Sequence, residues 1–474
     1  MGMTVLDVGF LLAESREHPT HFAVLQLFRP PPDAGPEYVS DFHRTLLAST
    51  DIAPRMRRRP VRTVTGFGQL SWVQDAELDM EYHVRLSGLP RPGRVRELLA
   101  LVSRLHGTLL DRHRPLWELH VVEGLSDGRF AVYTKVHHAL MDGVTAMHRM
   151  TVGLATSPDG VSMPPWAPMG VSDDSGSSSF IDSSIAATLD QIGDRVWEAV
   201  RSTGEVATEM LTTPPAVARA LVSMLRDEEA TLPFEAPKTM FNVPIGGARR
   251  FAAQSWSLER VRAVGKAMDA TINDVAVAMC AGALRRYLSD ADALPDRSLV
   301  AFLPVSLRAA DSDSDNSDDS DGAGNALGGI LCDLATDQAD PGVRLAKIRE
   351  STRHAKSILS GLNPTQTMVL TSLLVAGAAA APVPGLRQLV SPPFNVIISN
   401  VPGSTEKLYW NGAELLESYP VSIPADGQAL NITLTSYAGQ LSFGIIGCRR
   451  SVPRLQRLLD YLDAELAALE RAVS

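Results

Sequence analysis

Two adjacent imidazoles, the second four residues ahead of an Asp-Gly pair, stand in the run Lys135-Val136-His137-His138-Ala139-Leu140-Met141-Asp142-Gly143. An imidazole with a pKa near ~6.5 can take a hydroxyl proton only in concert with attack by its oxygen, which is the work of a general base. The preceding residues Phe130 to Val136 are apolar or β-branched and read as a strand. Strand alternation puts Val132, Thr134, Val136 and His138 on one face, and Tyr133, Lys135 and His137 on the other. Only one of the two imidazoles therefore faces a common pocket. His138 is assigned to it, because Asp142-Gly143 then turns the chain into a helix starting near Val144. A structural or solvated pair is the plain alternative. A metal triad of two His and one Asp is the other, and histidines on opposite strand faces cannot easily share one ion, so no metal is expected.

Several blocks along the chain must position this motif. Leu6-Asp7-Val8-Gly9-Phe10-Leu11-Leu12-Ala13-Glu14 is followed by His18-Pro19, then come Trp72 to Arg85 and Leu110-Asp111-Arg112-His113-Arg114-Pro115-Leu116-Trp117-Glu118. The second half holds Thr271-Ile272-Asn273-Asp274-Val275, Leu303-Pro304-Val305-Ser306-Leu307-Arg308, Ser399-Asn400-Val401-Pro402-Gly403 and Ala429-Leu430-Asn431-Ile432-Thr433. In this order, over almost the whole chain, they resemble the bacterial wax ester synthase/diacylglycerol acyltransferase family. That family shares its His-His-x-x-x-Asp-Gly motif with condensation domains and chloramphenicol acetyltransferases.

The resemblance implies an α/β fold: two chloramphenicol-acetyltransferase-like subdomains with mixed sheets flanked by helices, joined by a helical linker, with an active-site tunnel between them ending at His138. It implies acyl-CoA as co-substrate, diacylglycerol or a fatty alcohol as acceptor, and no further cofactor. His138 would take the acceptor proton and return it to the departing thiolate, with no serine or cysteine elbow for a covalent intermediate. His137 would pack behind the site. Asp142 would point toward an arginine, with Arg55 and Arg57 the candidates, and Gly143 would leave room for substrate. Asn273 could donate to a developing oxyanion, while Thr271 and Asp274 have the form of a capping box. Glu14 is expected near the histidine as a substrate-binding residue, and Asn400 in the tunnel wall. Pro115-Leu116-Trp117 reads as structural. A carrier-dependent condensation-type catalyst and an idle lipid-binding protein of the same fold are the competing readings.

Composition bounds these readings. The 474 residues exceed what one core usually supports, so two domains are expected. Charge is 44 minus 54, or −10, which argues against nucleic acid and against simple adhesion to anionic lipid. Cys280, Cys332 and Cys448 are widely spaced and read as reduced core thiols of a cytoplasmic protein. No basic region followed by an apolar stretch opens the chain, so no signal peptide is expected. Ser357 to Leu386 carries no ionisable side chain. Bracketed by Pro364 and Pro382, it is too short for a span and reads as a buried helix, a surface for peripheral membrane or lipid-droplet association being the alternative.

The boundaries follow composition: a first unit over residues 1–155, a helical linker over 156–241, and a second unit over 242–474. Ser157 to Ser179 has the make-up of a solvated connection, with helices expected over 180–207 and 215–228. Asp311 to Asp321 is all Asp, Ser and Asn; it lacks the glycine and glutamate of a calcium loop and is assigned no chemistry.

Overall fold

The computed structural model describes residues 2–62, 70–169, 235–306, 327–361, 367, 371 and 391–473. The expected helices over 180–207 and 215–228, the acidic loop and most of the uncharged stretch lie outside the described residues. In chain order the strands are β1 (His21–Arg29), β2 (Arg58–Arg62), β3 (Leu70–Gln74), β4 (Val84–Gly88), β5 (Trp117–Glu123), β6 (Phe130–His137) and β7 (Arg249–Ser257). They continue as β8 (Val300–Ser306), β9 (Leu327–Asp333), β10 (Val396–Val401), β11 (Tyr409–Trp410), β12 (Ala413–Val421), β13 (Leu430–Tyr437) and β14 (Gln440–Cys448).

Two six-stranded mixed sheets result. The first runs β11-β12-β1-β6-β5-β4 and the second β7-β14-β13-β10-β8-β9, with β2 and β3 forming a separate hairpin. Along β6 the predicted alternation holds. Val132 and Val136 pack with Met147, Met150 and Trp166 on one face, while Ala131 and Tyr133 pack with Leu98 and Val102 of the helix Val95–His106 on the other. The second sheet carries the larger apolar core. Its helices Leu258–Ala267, Ile272–Ser289, Pro341–Ser360 and Arg457–Val473 cover one face, with Val277, Leu284, Leu345 and Leu466 fully buried. The opposite face offers Phe251, Ala253 and Ile446 to the helix Val95–His106, which joins the units.

The partition at residues 155 and 242 needs correction. β12 pairs antiparallel with β1, so residues 409–421 leave the second unit and complete the first sheet. Gly444 of β14 makes the crossing possible: a Cβ there would lie 1.8 Å from the Pro420 carbonyl oxygen. Trp166 is a second correction. It falls in the stretch read as a solvated connection, yet it is fully buried, stacks on Trp117 and donates from its indole to the Ser49 carbonyl at 2.9 Å. The helix Val95–His106 is capped at Gly107. All three cysteines are buried and free.

Candidate active site

β6 ends at His137, and residues 138–142 turn into the helix Gly143–Val152. Asp142 is the N-cap of that helix. Its carboxylate accepts the Thr145 N–H at 2.9 Å and the Thr145 hydroxyl at 2.7 Å, a cap of the kind worth about 1 kcal/mol. Arg55 closes the turn from outside, with Nε donating to the Leu140 carbonyl at 2.7 Å. Burial draws the Arg55 guanidinium below its usual range, and the Asp142 charge opposes that. Arg57, the other candidate, points to the Asp75 carbonyl instead, 3.5 Å away.

The two imidazoles diverge. The His138 ring stacks on Phe10 with centroids 5.0 Å apart and meets Phe22 at 4.8 Å. Its backbone N–H donates to the Thr20 carbonyl at 3.0 Å, and among the described residues no side chain hydrogen-bonds to the ring. Burial, then the field of His137, push this imidazole down to about 4, with Asp142 pulling the other way. At neutral pH the ring is a free base with open nitrogens, walled by two aromatic rings.

His137 is fully buried and fully bonded. Its Nδ1 accepts the Ala139 N–H at 3.0 Å, and a backbone N–H can only donate, so the ring proton sits on Nε2. That proton faces the Thr20 hydroxyl at 3.0 Å and Glu14 Oε1 at 3.4 Å. Thr20 donates its own hydroxyl to the Phe10 carbonyl at 3.2 Å, so it must accept from His137. Glu14 Oε1 also accepts the Thr20 N–H at 3.1 Å, and Oε2 takes Arg112 Nε at 3.1 Å and Nη2 at 2.9 Å. Burial would raise the Glu14 carboxyl, but bonds from His137, Thr20 and Arg112 and the field of His137 hold it below its usual range.

On the same face of the strand as His137, opposite His138, lies a second buried network. Lys135 donates to the Leu105 and Thr108 carbonyls at 3.2 and 3.0 Å and stands 3.6 Å from Glu118. Burial favours protonated Glu118, yet a bond from His120 and the charges of Lys135 and Arg85 hold it down to about 2. This network ties the helix Val95–His106 to the sheet, and Lys135 belongs to it rather than to the pocket.

Comparison with known proteins gives this geometry a family. The model of the wax ester synthase/diacylglycerol acyltransferase catalytic domain matches residues 3–276, and that of the WS/DGAT C-terminal domain matches residues 323–470. The chain belongs to the wax ester synthase/diacylglycerol acyltransferase family. A putative diacylglycerol O-acyltransferase of Mycobacterium tuberculosis is 49% identical over 99% of this chain and 100% of its own length. A probable diacylglycerol O-acyltransferase of the same organism, tgs2, is 47% identical over 98% of each. The solved wax ester synthase/diacylglycerol acyltransferase from Marinobacter aquaeolei VT8 superposes with a TM-score of 0.76 at 40% identity, covering 100% of both chains. The first condensation domain of the CDA synthetase shares the fold at 16% identity, with a TM-score of 0.58 over 100% of this chain and 97% of its own.

For this family member, the remaining predicted residues divide. Glu14, expected near the histidine as a substrate-binding residue, stands 3.4 Å from His137, its side chain 1% exposed and gripped by Arg112. Gly143 is the first helical residue, and a Cβ there would meet nothing within 4 Å, so no packing demand explains the glycine. Asp274 caps its helix with Thr271 and accepts the Thr352 hydroxyl at 2.8 Å. Asn273 is half-buried in the first turn of that helix, in the layer covering the second sheet, and no hydrogen bond joins it to the motif among the described residues. Asn400 is exposed near the end of β10, likewise without a bond to the motif. Trp117 is buried and donates to the Met56 carbonyl at 2.8 Å, a structural role. Thr20 and Arg112 are the residues the sequence reading missed. A signal existed for Arg112: a carboxylate placed beside a buried histidine needs a cation, and Arg112 lies within a block already singled out.

Proposed function

We propose that this protein is an acyl-CoA-dependent O-acyltransferase that moves a long-chain fatty acyl group onto diacylglycerol, accepting fatty alcohols as well. The observation that carries the reading is the His138 ring: fixed through its main chain, walled by Phe10 and Phe22, and without a side-chain partner among the described residues. In the reaction the acceptor oxygen attacks the thioester carbonyl as His138 removes its proton. The new C–O bond forms, the C–S bond breaks, and the imidazolium returns the proton to the coenzyme A sulfur. A depressed pKa keeps the ring neutral for the first transfer and makes the imidazolium a strong acid for the second. A Cβ at Gly143 would meet nothing within 4 Å, which leaves space there for the reacting groups.

The acceptor class rests on the printed names of relatives 47–49% identical over nearly the whole chain. Among the described residues no single helix is long and apolar enough to cross a membrane. Because acceptor and product partition into lipid, the protein works from the cytoplasm, peripherally at a membrane or droplet surface. The test is purified protein with radiolabelled palmitoyl-CoA, offered diacylglycerol and hexadecanol in parallel. Labelled triacylglycerol is expected, with a smaller yield of wax ester. No ester with either acceptor sinks the coenzyme A-dependent assignment.

A further inference from the structure

Arg112 lies well outside the His-His-x-x-x-Asp-Gly run, yet it reaches that motif through Glu14, which stands 3.4 Å from His137. Its side chain is 40% exposed, while the Glu14 carboxylate it grips is 1% exposed. Nη2 also donates to the Leu11 carbonyl at 2.6 Å, which anchors the end of the helix Val5–Ala13. That helix carries Phe10, the ring stacked on His138. Thr20 then joins everything: its N–H binds Glu14, its hydroxyl bridges His137 and Phe10, and its carbonyl holds the His138 N–H.

We infer that Arg112 is a positioning residue for acyl transfer, acting through Glu14 to keep the His137 proton on Nε2 and so to hold His138 at its working angle. The physical argument is one of donors and acceptors. Paired with a guanidinium, Glu14 is a carboxylate and can only accept. His137 must then donate from Nε2, which leaves Nδ1 as the acceptor for Ala139, the residue that follows the base. Without the guanidinium, Oε2 of this deeply buried carboxyl loses the two donors it holds from Arg112, which favours the neutral acid. Its O–H then competes for Nε2 and drives the ring proton to Nδ1, where it would face the Ala139 N–H. Two donors pointing at each other push the turn apart, and that turn carries His138. Reacting groups misplaced by about 1 Å can lose on the order of a hundredfold in rate.

The inference rests on the acyltransfer reading for its kinetic consequence, but the tautomer can be read without any activity. The experiment compares the parent protein with Arg112→Gln and Arg112→Lys, using nitrogen NMR of protein labelled at histidine nitrogens. The His137 signals are assigned by difference against His137→Gln, and thermal unfolding is followed for each variant. Palmitoyl-CoA turnover is measured alongside. In the parent, His137 should show a protonated Nε2 and a bare Nδ1. In Arg112→Gln that pattern should be lost, with kcat down about ten- to a hundredfold and KM for palmitoyl-CoA within twofold. Arg112→Lys, which keeps the charge, should restore the parent pattern and most of kcat. If Arg112→Gln does not fold, the lysine variant decides: a lost tautomer despite a retained charge overturns the inference. An unchanged His137 pattern in folded Arg112→Gln, or a kcat within twofold of the parent, also overturns it. A parent without turnover defeats the proposed reaction, while the NMR result still stands or falls by itself.

Discussion

The two sheets share a fold but not a kind of interior. Ten of the eleven histidines fall within the first 148 residues, His354 being the exception. His21, His83, His106, His120 and His137 are all buried in the first unit, together with Glu118 and Lys135. The second unit buries its helices on aliphatic side chains. Its buried Asp274, Arg344 and Arg249 are used to cap a helix, to pair with Glu465 and to bind the Glu17 carbonyl. Buried ionisable groups cost stability unless paired and bonded, so a unit that keeps many of them is retaining them for something other than packing. The first sheet holds His138, the proposed base, and the buried network behind it. The second supplies the scaffold, lending β12 to complete its neighbour.

If that division is right, substitutions should separate activity from stability according to the unit they touch. Leu284→Ala, in the second core, should cost about 2–5 kcal/mol by cavity formation while leaving kcat per folded molecule within twofold; chemical denaturation and active-site-normalised turnover check both halves. A large loss of kcat in folded Leu284→Ala would break the comparison. Gly143→Leu should do the reverse. A Cβ there meets nothing within 4 Å, so melting should stay put while kcat/KM for palmitoyl-CoA falls about tenfold.

Acid should attack the units unequally. Burial pushes His138 down to about 4 and His106 down to about 3, and draws His21 well below its usual range. The unfolded chain binds those protons near 6.5 and the folded chain does not. Stability is therefore full above about pH 6.5 and declines as pH falls toward these lower values. Hydrogen exchange at pH 5 should show β1, β5 and β6 opening before β13 and β14. Turnover, in molecules still folded, should keep its plateau below pH 6 and fall only as pH nears 4. The smallest effect is expected at Asn273, where Asn273→Ala should lower kcat by less than tenfold, because no bond ties that amide to the motif; a drop of a hundredfold or more would put the second unit in the chemistry.

What could be read from the sequence was local. Alternation along residues 130–138 assigned the faces of β6 because strand geometry has a period of two. What escaped depended on distant partners. β12 pairs with β1 almost four hundred residues earlier in the chain, and nothing in Ala413–Val421 marks which sheet it will join. Glu14 was expected beside the histidine pair, and it stands 3.4 Å from His137. Its cation, Arg112, lies 98 positions away, and nothing local in the chain pairs the two. Arg55 and Arg57 were indistinguishable by type, and the short helical turn Pro54–Arg57 separates them by aiming one at Leu140 and the other at Asp75.

The central claim is that His138 moves the proton, and the most direct test is His138→Ala in the labelled palmitoyl-CoA assay, with diacylglycerol binding and melting temperature measured on the same sample. A general base contributes roughly a hundred- to ten-thousandfold, so ester formation should fall by about that much while lipid binding and melting stay at parental values. Ester formation within tenfold of the parent, by a folded variant, would contradict the account.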